Sequence, residues 1–192
     1  MSTQRNVAVI VGSLRKESFN RKMAQALMGL APEHLHCAIQ EIGDLPMYNQ
    51  DLETASPPAA WQSFRDAIRG ADALLFVTPE YNRSIPGALK NAIDWASRPW
   101  GKNSFTRKPS AVIGTSPGKI GTAVAQTHLR SIMAFCNSPL MNSIEAYLQF
   151  EPGLITDDGQ VTNMATEDFL RNYITEFHAF IARVYTVLPR NP

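Results

Sequence analysis

Residues 73–96, ALLFVTPEYNRSIPGALKNAIDWA, join an apolar run to an amphipathic run through a polar turn. The first five of these residues are continuously apolar, which is typical of a strand buried on both faces of a sheet. Pro86 suits the first turn of a helix, because a proline there sacrifices no hydrogen bond. Leu89 and Ile93 then recur at helical spacing, and the helix is expected to stop before Pro99. This stretch therefore predicts a strand, a polar loop and a helix.

The same alternation of strands and helices continues on both sides of this stretch. Apolar and alternating runs predict further strands over 5–12, 35–42, 110–115 and 143–147. Helical periodicity predicts helices over 19–30, with Ser18 as N-cap, and over 59–70, 120–136 and 167–188. Alternating elements imply right-handed crossovers and a parallel sheet with helices on both faces. We therefore predict a three-layer α/β/α fold with a five-stranded parallel sheet, in one domain over residues 1–192.

The composition is that of a globular protein with no broad charge for gripping nucleic acid. Hydrophobic residues make up 44% of the 192 residues, and 18 basic side chains stand against 17 acidic ones. Without a Lys and Arg cluster, this balance predicts no nucleic-acid partner. No apolar run approaches the roughly 18 residues that span a bilayer, so no membrane partner is expected either.

The two cysteines, Cys37 and Cys136, form no motif. We predict that they are reduced packing residues of a cytoplasmic protein. The neighbouring His34 and His36 could join Cys37 as metal ligands, but in a strand the two histidines face one way and the cysteine the other. No metal site is therefore predicted.

The loop after the first strand, GSLRKESFN (12–20), has the groups that bind a phosphate dianion. Ser13 and Ser18 have hydroxyls, Asn20 an amide and Arg15 a guanidinium, and backbone N–H groups are free at a helix start. The loop matches neither G-x-G-x-x-G nor G-x-x-x-x-G-K-[ST]. A capped helix with a surface arginine uses the same residue types, so both interpretations stay open.

The loop PEYNRSIPG (79–87) is held at both ends by prolines. A rigid backbone with exposed N–H and C=O groups suits the edge of a flat heteroaromatic ring, with Tyr81 or Ile85 covering one face. The alternative is a plain strand-to-helix turn in which Glu80 is solvated. The ligand interpretation is favoured, because functional groups concentrate on loops at the carboxyl edge of a parallel sheet.

A third loop, TSPGKIG (115–121), has small residues and two glycines that let the backbone approach a ligand. Carboxyl ends of parallel strands meet at one edge of the sheet, so the three loops are expected to share a ligand. One loop for a phosphate and two for a ring predict a mononucleotide with a large planar head. FMN satisfies both requirements.

Three segments resemble the NAD(P)H-dependent FMN reductase family, in particular its bacterial quinone and chromate reductase branch. They are GSLRKESFNRKMAQAL (12–27), TPEYNRSIPGALKNAIDWASRP (78–99) and TSPGKIGTAVAQTHLR (115–130), and the resemblance extends over 7–185. It implies a flavodoxin-like fold with FMN at the carboxyl edge of the sheet. The site residues that it implies are Ser13, Arg15, Ser18 and Asn20 for the phosphate, Pro79, Glu80, Tyr81, Asn82 and Ser84 for the isoalloxazine, and Ser116, Pro117 and Gly118 for the other edge of the ring.

The chain departs from this family at three positions. Relatives often have an aromatic residue or a histidine where Arg83 stands, which leaves the shape and charge of the substrate pocket open. Thr122 stands where a second glycine is common. Thr127 stands where close relatives have a tyrosine that makes subunit contacts.

Our hypothesis is that hydride passes from NADPH or NADH to FMN N5 and then to a quinone within one site. Tightly bound FMN would make this a ping-pong cycle, and loosely bound FMN would make FMN itself the substrate. Azo dyes, chromate and free flavin are further acceptors that the resemblance implies. FMN carries the chemistry, so no catalytic side chain is assigned. The alternative is a flavodoxin-like electron carrier without NAD(P)H oxidation of its own. Such carriers are strongly acidic and have a phosphate loop rich in threonine and glycine, and this chain lacks both features.

The helix predicted over 120–136 has two apolar sides, which suggests self-association. Helical geometry at about 100° per residue separates two groups of side chains by roughly 130°. Ala125, Leu129, Met133 and Cys136 form one group, and Ile120, Val124 and Phe135 form the other. One side would cover the sheet and leave the other to a partner, unless the whole helix is buried in its own subunit. The resemblance favours a homodimer, with a homotetramer as the larger alternative, in which Arg130 and Glu145 pair between subunits.

Overall fold

The computed structural model describes residues 3–54 and 56–189, and it confirms the predicted three-layer architecture. Five parallel strands form one sheet in the order β2-β1-β3-β4-β5. The strands are β1 (Arg5–Val11), β2 (Leu35–Gln40), β3 (Ala73–Val77), β4 (Ser110–Ser116) and β5 (Tyr147–Gln149). The helices are α1 (Phe19–Gly29), α2 (Ala59–Gly70), α3 (Gly87–Ala96), α4 (Ala123–Phe135) and α5 (Met164–Val187). A short 3₁₀ helix covers Gln50–Leu52.

The sheet separates two hydrophobic cores, and β1 contributes to both. Val7, Val9 and Val11 pack with residues of α1 and α5 on one face. Ala8 and Ile10 pack with residues of α2, α3 and α4 on the other face. Successive side chains of a strand point to opposite faces, so a strand covered on both sides must be apolar throughout. This requirement explains the continuous apolar runs from which β1 and β3 were predicted.

The strand order reverses direction beside β1. The chain leaves β1 to form β2 on one side and then crosses back to form β3 on the other side. Loops that leave two such neighbouring strands in opposite directions open a crevice at the carboxyl edge of the sheet. The loops after β1, β3 and β4 all lie along this edge. The fold therefore brings together the three loops that were predicted to share a ligand.

The prediction for the fifth strand was wrong in position: β5 covers Tyr147–Gln149 rather than 143–147. Before β5, the chain first touches the beginning of β4, where the N–H of Met141 donates to Ser110 O at 2.8 Å. It then leaves the sheet and pairs again only where Tyr147 faces Gly114. The chain therefore contacts the edge of β4 at two places, Ser110 and Gly114, and leaves the sheet between them.

Helix α4 begins at Ala123, three residues after the predicted start at Ile120. Gly121 and Thr122 have φ angles of +57° and +68°, and left-handed residues cannot continue a right-handed helix. Gly121 has no alternative, because a Cβ there would lie 2.5 Å from the carbonyl carbon of Tyr147. The close approach of β5 thus delays the start of α4.

The other boundaries agree with the sequence more closely. Helix α2 and strand β3 coincide with their predictions, and β2 ends two residues early, at Gln40. Helix α5 begins at Met164 rather than at residue 167, because the Asn163 side chain accepts the N–H of Thr166 at 3.0 Å. In the described part of the chain, no helix is long and apolar enough to cross a membrane.

Both cysteines are free, and neither lies in a metal-binding cluster. Burial raises the pKa of the Cys37 thiol to about 11, which keeps it protonated at neutral pH. Among residues 3–54 and 56–189, no group of three or more His, Cys, Asp or Glu side chains is placed to hold a metal ion. Cys136 is buried in the core beside α4.

Candidate functional site

The two serines of the first loop are buried and organise its backbone. Ser18 Oγ accepts the N–H of Arg21 at 3.2 Å and caps α1 as predicted. Ser13 Oγ lies 3.4 Å from the N–H of Arg15. The two interpretations of this loop are therefore compatible, because the helix is capped while its N-terminus still faces the carboxyl edge of the sheet.

Arg15 and Lys16 are exposed cations of this loop, and the exposed Glu17 follows them. The guanidinium carbon of Arg15 lies 5.6 Å from the centroid of the Phe19 ring, and Phe19 stacks on Phe150 with centroids 4.2 Å apart. Within the described chain, the backbone N–H groups of Lys16 and Glu17 have no hydrogen-bond partner. The first turn of α1 contains no acidic residue. Free donors, a helix N-terminus and a positioned arginine together suit an anion.

Asn20 binds the protein backbone rather than facing the crevice freely. Its Nδ2 donates to Thr115 O at 2.9 Å, and its Oδ1 accepts the N–H of Thr115 at 3.0 Å. The side chain is 2% exposed. Asn20 was predicted as a phosphate ligand, and the structure places it as a clamp between the first loop and the end of β4. Its role as a phosphate ligand stays a prediction.

The second loop contains a two-residue hairpin that the sequence analysis did not foresee. The backbones of Tyr81 and Ser84 exchange two N–H to O bonds of 3.0 Å each. Asn82 and Arg83 between them have φ angles of +52° and +62°. Two positive φ angles define a type I′ turn, which usually contains Asn-Gly. Asn82 was a weak signal for this turn, and Arg83 hid it because a long side chain is rare in that conformation.

Glu80 is not solvated, contrary to the plain-turn alternative. Its Oε2 accepts the N–H groups of Val124 and Ala125 at 3.0 and 3.1 Å. Its Oε1 accepts Nη1 of Arg83 at 3.1 Å, and the side chain is only 10% exposed. The carboxylate of the second loop is thus held at the first turn of α4.

The two candidates for covering a ring face have different environments. Ile85 is buried in the core beside α2 and α3, so it cannot cover a ligand. Tyr81 is 45% exposed and lies at the turn. Tyr81 is therefore the aromatic side chain of this loop that is free to stack.

The second loop makes another contact with α4, where Ser84 Oγ is 3.0 Å from Nδ1 of His128.

The third loop presents exposed backbone. Ser116 Oγ accepts the N–H of Gly118 at 3.1 Å, which closes a tight turn around Pro117. Pro117 and Gly118 are exposed, and Pro117 O accepts Nε2 of Gln149 at 3.0 Å. A Cβ on Gly118 would come no closer than 3.4 Å to its nearest neighbour, Ser116 Oγ. The loop is thus shaped by hydrogen bonds and open on its outer side.

A buried polar cluster under the loops was missed by the sequence analysis. Gly114 lies so close to its neighbours that a Cβ would fall 2.1 Å from Thr78 O and 2.4 Å from Thr122 Oγ1. Gln126 Nε2 donates to Thr122 Oγ1 at 3.0 Å and to Ala146 O at 2.7 Å. The glycine inside an otherwise apolar strand was the available signal. These residues bring the ends of β3, β4 and α4 together.

The whole edge fits a ligand with one anionic end and one flat end. Arg15 and the N-terminus of α1 form a cationic region, while the hairpin and the third loop contribute exposed backbone and Tyr81. FMN has a phosphate and an isoalloxazine ring, so the donor set and the loop shapes fit it.

Comparison with known proteins agrees with this geometry. The family model described as NADPH-dependent FMN reductase matches residues 5–152. The quinone reductase of Pseudomonas putida KT2440 is 51% identical over 181 residues, which are 94% of this chain and 97% of that protein. A 2-hydroxy-1,4-benzoquinone reductase of a Burkholderia species is 46% identical over 175 residues, covering 91% of this chain and 95% of that protein.

A solved structure extends the agreement to the fold. The flavoenzyme NAD(P)H:(acceptor) oxidoreductase FerB of Paracoccus denitrificans superposes with a TM-score of 0.89 at 46% identity, covering 93% of this chain and 98% of that one. The flavodoxin-like fold and the resemblance expected from the three motifs are thereby confirmed. This chain belongs to the NADPH-dependent FMN reductase family.

Proposed function

We propose that this chain is an FMN-dependent NAD(P)H oxidoreductase that reduces a quinone or a similar flat acceptor. Its family and the names of relatives that match nearly its whole length support this activity. The observation in the structure that carries the proposal is the meeting of the Arg15 loop with the hairpin at one sheet edge. A cationic helix N-terminus and a shaped backbone cleft suit the two ends of FMN.

In this proposal each loop has its own part of the ligand. Ser13, Arg15 and Ser18 with the nearby N–H groups hold the phosphate, and Asn20 keeps their loop against β4. Two further groups line the ring, each residue through its backbone or its side chain. They are Pro79, Glu80, Tyr81, Asn82 and Ser84 of the second loop, and Ser116, Pro117 and Gly118 of the third. This assignment is supported by the exposed Tyr81, Pro117 and Gly118.

FMN, when bound, supplies acceptance and donation of hydride at N5, and the protein supplies binding, orientation and electrostatics. NADPH or NADH and then the acceptor would bind in turn at the same site, and the exposed Tyr81 would be available to contact them. One shared site predicts parallel lines in a double-reciprocal plot with a quinone. Intersecting lines would contradict the ping-pong cycle. Azo dyes, chromate and free flavin are the further acceptors to compare.

The test is a visible absorbance spectrum of the desalted protein after addition of FMN, followed by NADPH under anaerobic conditions. We expect retained flavin absorbance that bleaches on addition of NADPH and returns on addition of a quinone. Retained flavin that stays oxidised would instead indicate an electron carrier that needs a separate reductase. Absence of retained flavin and of any NADPH oxidation with free FMN would overturn the proposed function.

Self-association through α4 is also proposed, as a homodimer that can assemble further into a homotetramer. Ala125, Leu129, Met133 and Cys136 are buried against the sheet, and Phe135 on another side of α4 is 80% exposed. Ile120 lies before the helix and is 45% exposed. Phe135 and the exposed Trp100 line one cleft, whose remaining lining includes the charged Lys90, Asp94 and Arg98. Two large exposed apolar side chains in one cleft support a partner at this surface.

The side chain of Arg130 on α4 is partly bonded within its own subunit. Its Nη1 donates to Met141 O and to Asn142 Oδ1. Its Nε and Nη2 have no hydrogen-bond partner among the described residues, and both atoms are buried within the subunit. The expected pairing of Arg130 with Glu145 between subunits stays a prediction, supported by the exposure of Glu145.

Light scattering tests the assembly. We expect a particle of at least twice 21.3 kDa, and we expect Phe135→Ser to shift it towards the monomer. Met164→Ser is the matched control, because Met164 on α5 is 79% exposed. A wild-type protein that is only monomeric would refute the proposal.

The cytoplasmic location expected from the cysteines stays a prediction, and the two free thiols of Cys37 and Cys136 support it. Loss of activity under reducing conditions would contradict it.

A further inference from the structure

We infer that Glu80 is a positioning residue, whose carboxylate caps α4 from outside the helix and thereby fixes the hairpin relative to the third loop. This inference rests on the proposed FMN site and explains how its ring end is held before a ligand arrives. In this interpretation the side chain of Glu80 acts through α4, and only the backbone of Glu80 is available to the ring.

Helix α4 lacks a cap of its own. The first N–H groups of any helix have no partner within the helix and need acceptors from elsewhere. Thr122 at the N-cap position is left-handed and makes no side-chain capping bond, and the first turn contains no acidic residue. Glu80 Oε2 instead accepts the N–H groups of both Val124 and Ala125, at 3.0 and 3.1 Å. Glu80 therefore does for α4 what Ser18 does for α1.

The charge of Glu80 makes this cap strong and specific. A carboxylate at a helix N-terminus is stabilised by the helix dipole, and charge-assisted hydrogen bonds exceed neutral ones. The side chain is 10% exposed, so the carboxylate depends on these N–H groups and on Nη1 of Arg83 at 3.1 Å. A carboxylate with little access to water is costly to leave unpaired. The loop and the helix are thus constrained to keep this distance.

The cap joins two loops that both face the proposed ring. Glu80 precedes the hairpin formed by Tyr81 and Ser84, and α4 directly follows the third loop. The contact of Ser84 Oγ with Nδ1 of His128 links the same two elements a turn further along α4. Removal of Glu80 is therefore expected to loosen the hairpin and the start of α4 together.

The cap also determines which helix can receive the phosphate. The first-turn N–H groups of α4 are occupied and carry a negative charge next to them. The loop that enters α1 keeps free N–H groups at Lys16 and Glu17, just before the N-cap Ser18, and has Arg15 beside them. An anion is therefore repelled from the N-terminus of α4 and attracted to the start of α1. Glu80 is therefore expected to act on the ring end of the ligand and Arg15 on its phosphate end.

The experiment compares FMN with riboflavin, which has the same ring and no phosphate. Fluorescence titrations measure both dissociation constants for wild type, Glu80→Ala, Glu80→Asp and Glu80→Gln. We expect Glu80→Ala to weaken both flavins by the same factor, about tenfold, the size of a lost hydrogen bond to a charged group. Glu80→Asp should behave like the alanine variant, since its shorter side chain cannot reach α4. Glu80→Gln keeps one acceptor oxygen and should recover most of the affinity.

Amide hydrogen exchange on the full-length protein without flavin measures the cap directly. Exchange at Val124 and Ala125 should accelerate about tenfold in Glu80→Ala and in Glu80→Asp. Glu167→Ala is the matched control, because Glu167 is also an acidic residue in the first turn of a helix and lies outside the site. That control should leave both the exchange at α4 and the flavin affinities unchanged.

The possible results separate the inference from the proposed function. Unchanged exchange at Val124 and Ala125 in the alanine variant would overturn the inference, and so would a loss confined to FMN. If the alanine variant does not fold, the aspartate and glutamine variants decide by the same criteria. A wild-type protein that binds neither flavin, with α4 deprotected in the variants, would refute the proposed function and the ring-side role while leaving the cap in place.

Discussion

The loops after β1 and β3 begin in the same way and end differently. Each leaves a buried strand at the carboxyl edge and enters a helix within nine residues. The first keeps Arg15 exposed and N–H groups free, and the second turns through two left-handed residues and directs Glu80 into the protein. A charged group on a flexible chain is bound by free donors, whereas a flat ring needs a cleft whose shape exists beforehand. The first loop therefore attracts the anionic end of a ligand, and the second loop provides a preformed shape for its flat end.

Both loops nevertheless depend on the end of β4. Asn20 fastens the first loop to Thr115, and Glu80 fastens the second to α4, which follows β4 in the chain. Between these two contacts lies Gly114, packed against Thr78 and Thr122. The difference between the loops is thus maintained by one common support.

Substitution of Gly114, which supports both loops, is expected to have the largest effect. In Gly114→Ala, the new Cβ would fall 2.1 Å from the backbone oxygen of Thr78, so β3 and β4 must move apart. We expect a loss of at least about 3 kcal/mol in the free energy of unfolding, measured with urea, because overpacking against backbone cannot be relieved by a rotamer change. Gly118→Ala is the control, since its Cβ would meet only Ser116 Oγ at 3.4 Å. Equal stability of the two variants would show that this support is dispensable.

The next effect concerns the anchor of the first loop alone. Asn20→Ala removes both hydrogen bonds to Thr115 and leaves a buried N–H and C=O unpaired. We expect a loss of about 2 to 3 kcal/mol in the free energy of unfolding. Asn163→Ala should cost only about 1 kcal/mol, because that asparagine makes one exposed capping bond. An equal loss of unfolding free energy in the two variants would show that the buried hydrogen bonds of Asn20 stabilise the protein no more than one exposed capping bond.

Removal of the Arg15 guanidinium tests the phosphate end of the site. Arg15→Ala should weaken FMN binding by about 1.5 to 3 kcal/mol, the range for hydrogen bonds to charged groups. Riboflavin binding should not change, because riboflavin has no phosphate. Flavin fluorescence titration measures both affinities, and Arg69→Ala at the opposite edge of the sheet serves as control. Unchanged FMN affinity would mean that Arg15 is only a surface side chain.

The smallest expected effect concerns strain in the hairpin of the second loop. Arg83 has a φ angle of +62°, which glycine adopts more readily than any residue with a Cβ. Arg83→Gly removes this strain and an ion pair with Glu80 in which the arginine side chain is 65% exposed. The carboxylate keeps its two backbone N–H partners on α4, so we expect a gain of about 0.5 kcal/mol in stability. Asn82→Gly should change stability less, since asparagine tolerates the left-handed region. A destabilised Arg83→Gly protein would show that the ion pair outweighs the strain.

Several elements were predictable because their signals are local. The apolar run of β3 and the stripe of α2 depend on periodicity over a few residues, and both were found at their predicted bounds. The start of α4 was not predictable in this way, because Gly121 and Thr122 are left-handed and Gly121 packs closely against β5, which lies far along the chain. The position of β5 failed for the same reason, since an edge strand of three residues has little pattern of its own.

The candidate site was likewise predictable only in part. Its residue types and its three loops followed from the sequence, because parallel strands end at one edge and chemistry-bearing residues gather there. The partners of those residues did not follow. Asn20 was expected to face a phosphate and is bonded to Thr115, and Glu80 was expected along the ring and is bonded to α4.

The fold class, the order of the elements, the three loops and the family could be predicted from the sequence, because periodicity, strand ends and contiguous motifs lie within short stretches of chain. Which polar groups remain free for a ligand depends on the tertiary structure. Asn20 and Thr115 are 95 residues apart, and Glu80 and Val124 are 44 apart. A hydrogen bond between such distant groups depends on the packing of whole strands and helices, so no local pattern contains it.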